Sequence, residues 1–151
     1  MSAAHQFCTF SLNDLLFGIE VQTIQEVIRY QEMTPVPLAP ATVHGLINLR
    51  GQIVVAIDLR SRLALPARGG ETLPTNVIVR TPDGAVSLLV DEIGDVVEVD
   101  PDLFECPPET LDSTARELVT GVYKLKDKLL LVLDVASAVT VASSSLQEVL
   151  A

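Results

Sequence analysis

Two carboxylates, Asp58 and Asp134, stand where acid–base chemistry would place them. Each closes an apolar run, Ile53–Ile57 and Leu129–Leu133, and a short polar stretch follows. Carboxylates at the ends of two buried strands are one way to supply a general acid and a general base. The same placement is that of a helix cap, where an Asp accepts from the orphan amides of the first turn. Capping carries more weight, because no other chemistry gathers around the pair. His44 is a lone imidazole beside a strand start. Cys8 lacks a basic neighbour or a resolving thiol and reads as a small core residue. Gly45-Leu-Ile-Asn-Leu-Arg-Gly51 lacks the Lys and Ser/Thr of a P-loop, and no Ser, His and Asp set has a recognisable context. Cys8 and Cys106 form no C-x-x-C pair and read as reduced thiols; with only His5 and His44 besides, no metal or cofactor site is expected. The expectation is a protein that is not an enzyme.

Arg50 is the more distinctive residue. With Gly51 it separates Leu46–Leu49 from Ile53–Ile57, so the stretch from Val43 to Arg60 reads as strand, tight turn, strand, then a short helix from Asp58 through Leu63. Gly51 suits a backbone at positive φ. A guanidinium at the turn offers planar, multidentate contacts, and Glu26 is its expected partner in an ion pair. Ile53–Ile57 does not alternate, which predicts a strand covered on both faces. Lys124, Lys126 and Lys128 make a second basic stretch, read as a solvated face that discourages edge pairing, with docking as the lesser reading.

The elements that position these residues follow from periodicity. Phe7–Leu12 and Leu16–Val21 are strands joined at Asn13-Asp14. From Gln22 to Arg29 the spacing puts Ile24, Val27 and Ile28 on one face and Gln25, Glu26 and Arg29 on the other, which predicts a helix. Pro35, Pro37 and Pro40 end it and hold an extended connection. A polar loop, Pro66 to Pro74, follows the hairpin. Val77–Thr81, a Pro82-Asp83-Gly84 turn and Ala85–Val90 then repeat the first strand pair, and Asp91–Val97 repeats the helical spacing.

A shift of 69 positions places Asp14 on Asp83, Val21 on Val90, Ile24 on Ile93 and Val27 on Val96. A shift of 76 places Gly45 on Gly121, Leu49 on Leu125, Asp58 on Asp134 and Ser61 on Ser137, while Arg50-Gly51 become Lys126-Asp127. The length change lies between helix and hairpin. The chain therefore reads as one domain over 1–151 built by duplication, with repeat 1 at about 7–65 and repeat 2 at about 76–140. Strands are free to cross between the two subdomains, and 141–151 reads as a tail or short helix. Each copy is too small to bury its own strands, so a mainly β fold of two small barrels with a shared core is expected, since closure removes exposed edges.

Composition narrows the function classes. With 151 residues and 48% hydrophobic content the chain is globular. A formal net charge of −10 argues against nucleic acid and anionic membrane surfaces, both of which need clustered cations. No basic n-region with an apolar h-region opens the sequence, and no apolar run approaches the roughly 20 residues of a membrane span. A cytoplasmic protein with protein partners is the expectation.

Gly45-x-x-Asn-Leu-Arg-Gly51 followed by Ile53–Ile57 and Asp58-Leu59-Arg60 resembles the CheW family of bacterial chemotaxis coupling proteins. Phe17-Gly18-Ile19 with Val21–Val27, Val90-Asp91 before Asp95-Val96, and Thr120-Gly121 extend the resemblance from Phe7 to about Val139. It implies two intertwined five-stranded SH3-like barrels with a third core between them and few short helices. It also implies a non-enzymatic adaptor joining the cytoplasmic tips of methyl-accepting chemoreceptors to the regulatory domain of the histidine kinase CheA. Carried over by position, its binding residues are Ile24, Glu26, Gly45, Arg50, Val77, Ser87 and Val96. Val55 stands where many relatives have Pro, and Ser87 where Gly is frequent. Two other readings remain: a coupling protein of a non-flagellar pathway, and a small ligand-binding or hydrolytic barrel using Asp58, Asp134 and Arg50.

Overall fold

Aliphatic and β-branched residues, which fit a pleated and half-buried surface, build ten strands among the described residues. The computed structural model describes residues 5–38, 42–63, 65–66, 73–82, 84–109, 111, 113–126 and 128–139. The expected tail or helix at 141–151, Pro40, Asp83, Asp127 and most of the 66–74 loop lie outside them. The strands are β1 (His5–Leu12), β2 (Leu15–Glu20), β3 (Ile24–Ile28), β4 (Val43–Leu49), β5 (Gln52–Asp58), β6 (Thr75–Thr81), β7 (Gly84–Val90), β8 (Glu92–Val99), β9 (Val119–Lys124) and β10 (Leu129–Leu133). Short helices, among them α1 (Leu59–Arg62) and α2 (Ser113–Leu118), accompany them, and residues 135–139 are helical as well.

The strands form two five-stranded sheets, β8-β1-β2-β10-β9 and β3-β6-β7-β5-β4. Each sheet takes a hairpin from one half of the chain and three strands from the other, so the halves interleave. Pairing is the same in both. Phe7 faces Glu20 and Asn76 faces Leu89, each residue 69 positions on from its counterpart. Gly45 faces Ala56 and Gly121 faces Val132, at an offset of 76. The central parallel pairs, Val55 with Val86 and Leu131 with Phe17, obey both offsets at once. An outer strand of each sheet is covered by the chain's own connection, through Thr34–Leu46 in one barrel and Glu105–Val122 in the other.

The apolar side chains divide into three cores. Phe7, Val99, Tyr123 and Leu130 fill the barrel built around β1 and β2, and Ile47, Leu49, Val54 and Ile78 fill the other. The largest lies between them and gathers Phe10, Phe17, Ile57, Leu59, Leu88 and Leu118, among others, from both sheets and from α1 and α2. Neither half could bury these residues alone.

Two segments expected as helices are strands. Gln22–Arg29 makes a 3-10 turn at Val21–Thr23 and then β3, while Asp91–Val97 runs into β8. Over so few residues apolar spacing fits either period, and the partner strand decides: Val27 pairs with Val77, and Val96 with Cys8. Strand alternation sets Ile24, Glu26 and Ile28 on the partly buried side and Gln25 and Val27 outside. Glu26 and Val27 thus exchange the faces a helix would have given them. A third correction concerns Ile53–Ile57: Val54, Ala56 and Ile57 are buried, whereas Ile53 is 65% exposed. Helix α2, whose Ala115 and Leu118 are buried, falls within what reads as a plain connection.

Candidate protein-binding surface

The signature hairpin is a two-residue turn. Leu49 pairs with Gln52, leaving Arg50 at φ 53° and Gly51 at φ 86°. Two successive positive φ values match the right-handed twist of the strands they join. Glycine adopts that conformation freely, but an L side chain pays roughly 1–2 kcal/mol for it. Asn48 holds the turn closed, its Oδ1 accepting from the Gly51 amide at 3.0 Å. The Asn-Leu-Arg-Gly run is thereby explained residue by residue, and the strain is stored under Arg50.

Arg50 reaches across the barrel closure to β3. Its Nη1 donates to Glu26 Oε2 at 2.7 Å and its Nη2 to Oε1 at 3.0 Å. The expected ion pair is present and bidentate, but it ties a strand, rather than a helix, to the hairpin turn. The Arg50 side chain remains 72% exposed while that of Glu26 is 20% exposed, so the pair contributes no more than about 1 kcal/mol to folding. The guanidinium keeps most of its surface toward solvent.

Six of the seven carried-over residues lie in this barrel, and they differ in reach. Ile24 is partly buried and packs on the shared core. Gly45 is buried against the chain itself: a Cβ there would stand 2.9 Å from both Met33 Cβ and Thr34 O. Val77 and Ser87 are fully buried. Ser87 Oγ donates to Asn76 Oδ1 at 2.7 Å, and Asn76 Nδ2 to Arg29 O at 3.3 Å. This polar pair sits where the other barrel has Phe7 and Gly18. Val96 lies in the other barrel on β8 and is 56% exposed.

Among the exposed apolar residues that the sequence does not single out are Val27 and Ile53. Val27, the counterpart of Val96 at an offset of 69, is 40% exposed, and Ile53 stands beside the Arg50 turn. The repeat was the signal for Val27, since equivalent positions share an outward face. For Ile53 the signal was its cross-strand neighbour Asn48, a polar residue on the same face.

The residues of the hydrolytic reading are each engaged by separate partners. Asp58 Oδ1 accepts from the Arg60 amide at 3.1 Å. Asp134 accepts from the Ser137 amide at 3.3 Å and from Ser137 Oγ at 2.8 Å. Each carboxylate caps its own helical turn, and Arg50 belongs to Glu26. A groove of about 320 Å³ is lined instead by Leu15, Leu16, Leu129 and Leu131 together with Asp14, Lys128 and neighbours. Cys8 is buried, which raises its thiol pKa, and Cys106 is exposed; both are free. Among the described residues no helix is long and apolar enough to cross a membrane, and no group of His, Cys, Asp and Glu is arranged to hold a metal.

Comparison with known proteins agrees with this architecture. Residues 6–142 match the family described as CheW-like domain. The chain is 32% identical to the chemotaxis protein CheW of Treponema pallidum, over 86% of this chain and 79% of that protein. It is 30% identical to the chemotaxis protein CheW of Bacillus subtilis, over 96% and 92%. The crystal structure of the scaffolding protein TtCheW from Thermoanaerobacter tengcongensis superposes with a TM-score of 0.79 at 30% identity, covering 87% of this chain and 90% of that one. With the interleaved barrels, the Arg-Gly turn and its signature residues all in place, the chain belongs to the CheW-like family.

Proposed function

We propose that this protein is a non-enzymatic adaptor of chemotaxis signalling that couples the cytoplasmic tips of methyl-accepting chemoreceptors to the regulatory domain of a CheA-type histidine kinase. The observation that carries the reading is the match to CheW-like proteins over residues 6–142, which includes a solved scaffolding protein. Such an adaptor works in the cytoplasm and reaches the membrane through its receptors. Partner recognition is assigned to the Arg50–Glu26 rim with Ile24 and the exposed Ile53, and to the outward valines Val27 and Val96. Apolar patches ringed by charge supply contact area, and the charges set register. Gly45, Val77 and Ser87 act on these surfaces from inside, by shaping the barrel that presents them. The two repeats, about 7–65 and about 76–140, descend from one duplicated unit and exchange strands to make the two barrels.

The test is reconstitution with the cognate receptor fragment and CheA. Receptor-dependent stimulation of kinase activity upon adding this protein is the expected result. Failure to bind either partner would refute the assignment.

A further inference from the structure

The chain crosses between the two sheets twice, from β2 to β3 through Val21–Thr23 and from β7 to β8 through Asp91 alone. At that second crossing three parts of the molecule meet. Arg60, on α1 behind β5, donates from Nε to Asp91 Oδ1 at 2.8 Å and from Nη2 to Oδ2 at 2.5 Å. The Asn13 amide, in the β1–β2 turn of the opposite sheet, donates to Asp91 Oδ2 at 2.9 Å, and the Asp91 amide donates to Ser11 O at 3.1 Å. Arg60 Nη1 is held in turn by Pro66 O at 2.8 Å. The two charged side chains are only 13% and 14% exposed. One carboxylate thus ties a helix behind one barrel to a turn of the other.

The first crossing lacks the equivalent of this pair. The counterpart of Asp91 at an offset of 69 is Gln22, and that of Arg60 at an offset of 76 is Ala136, so the corresponding two side chains carry no charge. Gln22 instead offers its backbone oxygen to Arg80 Nη1 at 3.2 Å. The shared core holds the barrels together, but apolar contact is non-directional. It resists separation more than it sets an angle, whereas a bidentate guanidinium–carboxylate pair defines one.

We propose that Arg60 and Asp91 are positioning residues that fix the angle between the two barrels, so that coupling depends on them while binding of either partner alone does not. The proposal rests on the adaptor reading, since only a protein that engages two partners needs its surfaces held at a set angle. The experiment uses the full chain with spin labels at Gln25→Cys and Lys126→Cys, exposed positions in opposite barrels, in a Cys106→Ser background. Asp91→Asn keeps the shape and removes the charge; Arg60→Lys keeps the charge and removes the fork. Both variants are expected to broaden or shift the interlabel distance distribution at temperatures where circular dichroism shows a folded protein. Both should leave each binary dissociation constant within about twofold while lowering receptor-dependent kinase stimulation by about fivefold or more, the lower end of the range for coupling between sites. An unchanged distance distribution overturns the proposal. So does a binary affinity that falls as far as coupling, or a distance change without loss of coupling. If the unsubstituted protein binds neither partner, the adaptor reading fails, whereas the distance measurement still decides whether the pair sets the angle.

Discussion

Replacing Gly45 by Ala should destabilise the fold through packing rather than through backbone strain. The added Cβ would stand 2.9 Å from Met33 Cβ, 2.9 Å from Thr34 O and 3.3 Å from Thr34 C. That segment cannot step aside freely, because Thr34 and Leu46 exchange two backbone hydrogen bonds of 2.8 Å each. Forcing a methyl into filled space costs about 1–3 kcal/mol, and a weakened hydrogen bond about 1 kcal/mol more. A total near 2–3 kcal/mol corresponds to a fall in Tm of about 5–10 °C for a chain of this size. Gly51→Ala is the control: with φ at 86° and no atom within 4 Å, only the conformational cost of roughly 1–2 kcal/mol applies. Urea and thermal melts followed by circular dichroism should rank Gly45→Ala as the more damaging. Adding Met33→Gly, which removes one of the two clashing atoms, should restore part of the loss. A Gly45→Ala protein within about 0.5 kcal/mol of the parent, ordinary surface-substitution behaviour, would refute the close approach. One that keeps its stability yet loses partner affinity would make Gly45 a direct contact.

Three further outcomes are expected. A double-mutant cycle on Glu26→Ala and Arg50→Ala should give a coupling in folding stability below about 1 kcal/mol because Arg50 is largely exposed, while partner affinity falls more steeply; a larger folding term would make the pair a determinant of the fold. Titration with a thiol reagent near neutral pH should modify Cys106 quickly and Cys8 only on unfolding, since burial raises the Cys8 pKa, and two fast thiols would contradict the buried site. Burial, then the nearby Glu20 and Asp100, raises the Tyr123 pKa above its ordinary 10.0. The phenol therefore adds stability that is full below about pH 10 and is lost as pH rises through the folded value; urea midpoints of the parent should drop more steeply over that window than those of Tyr123→Phe.

Much of the architecture is legible in the residues. Asn13-Asp14 and Arg50-Gly51 mark turns because their backbones enter the left-handed region, at Asn13, Arg50 and Gly51. Asp58 and Asp134 mark helix starts because a carboxylate there satisfies free amides. The two offsets are legible because pairing register, once duplicated, constrains which positions stay apolar. β3 and β8 are not legible: five to eight residues of mixed pattern suit either period, and only a waiting partner edge, β6 or β1, settles the matter. That Val77 and Ser87 face inward is not legible either, since a strand's residues do not say which face becomes the inside. The Asp91 junction is invisible too, although Val90-Asp91 and Asp58-Leu59-Arg60 both stand out, because 31 positions separate residues that the crossing brings within hydrogen-bonding distance.

The sequence by itself determined the local chemistry: which turns form, which helices are capped, and that the unit is duplicated. Those features depend on neighbours within a few positions or on a repeat that can be counted. Only the tertiary structure decided that the halves exchange strands, that β3 and β8 are strands, that Gly45 is pressed against Thr34, and that one carboxylate ties the barrels together. Each of these depends on which edges meet in space, and local preference is too weak over such short segments to settle it against long-range pairing.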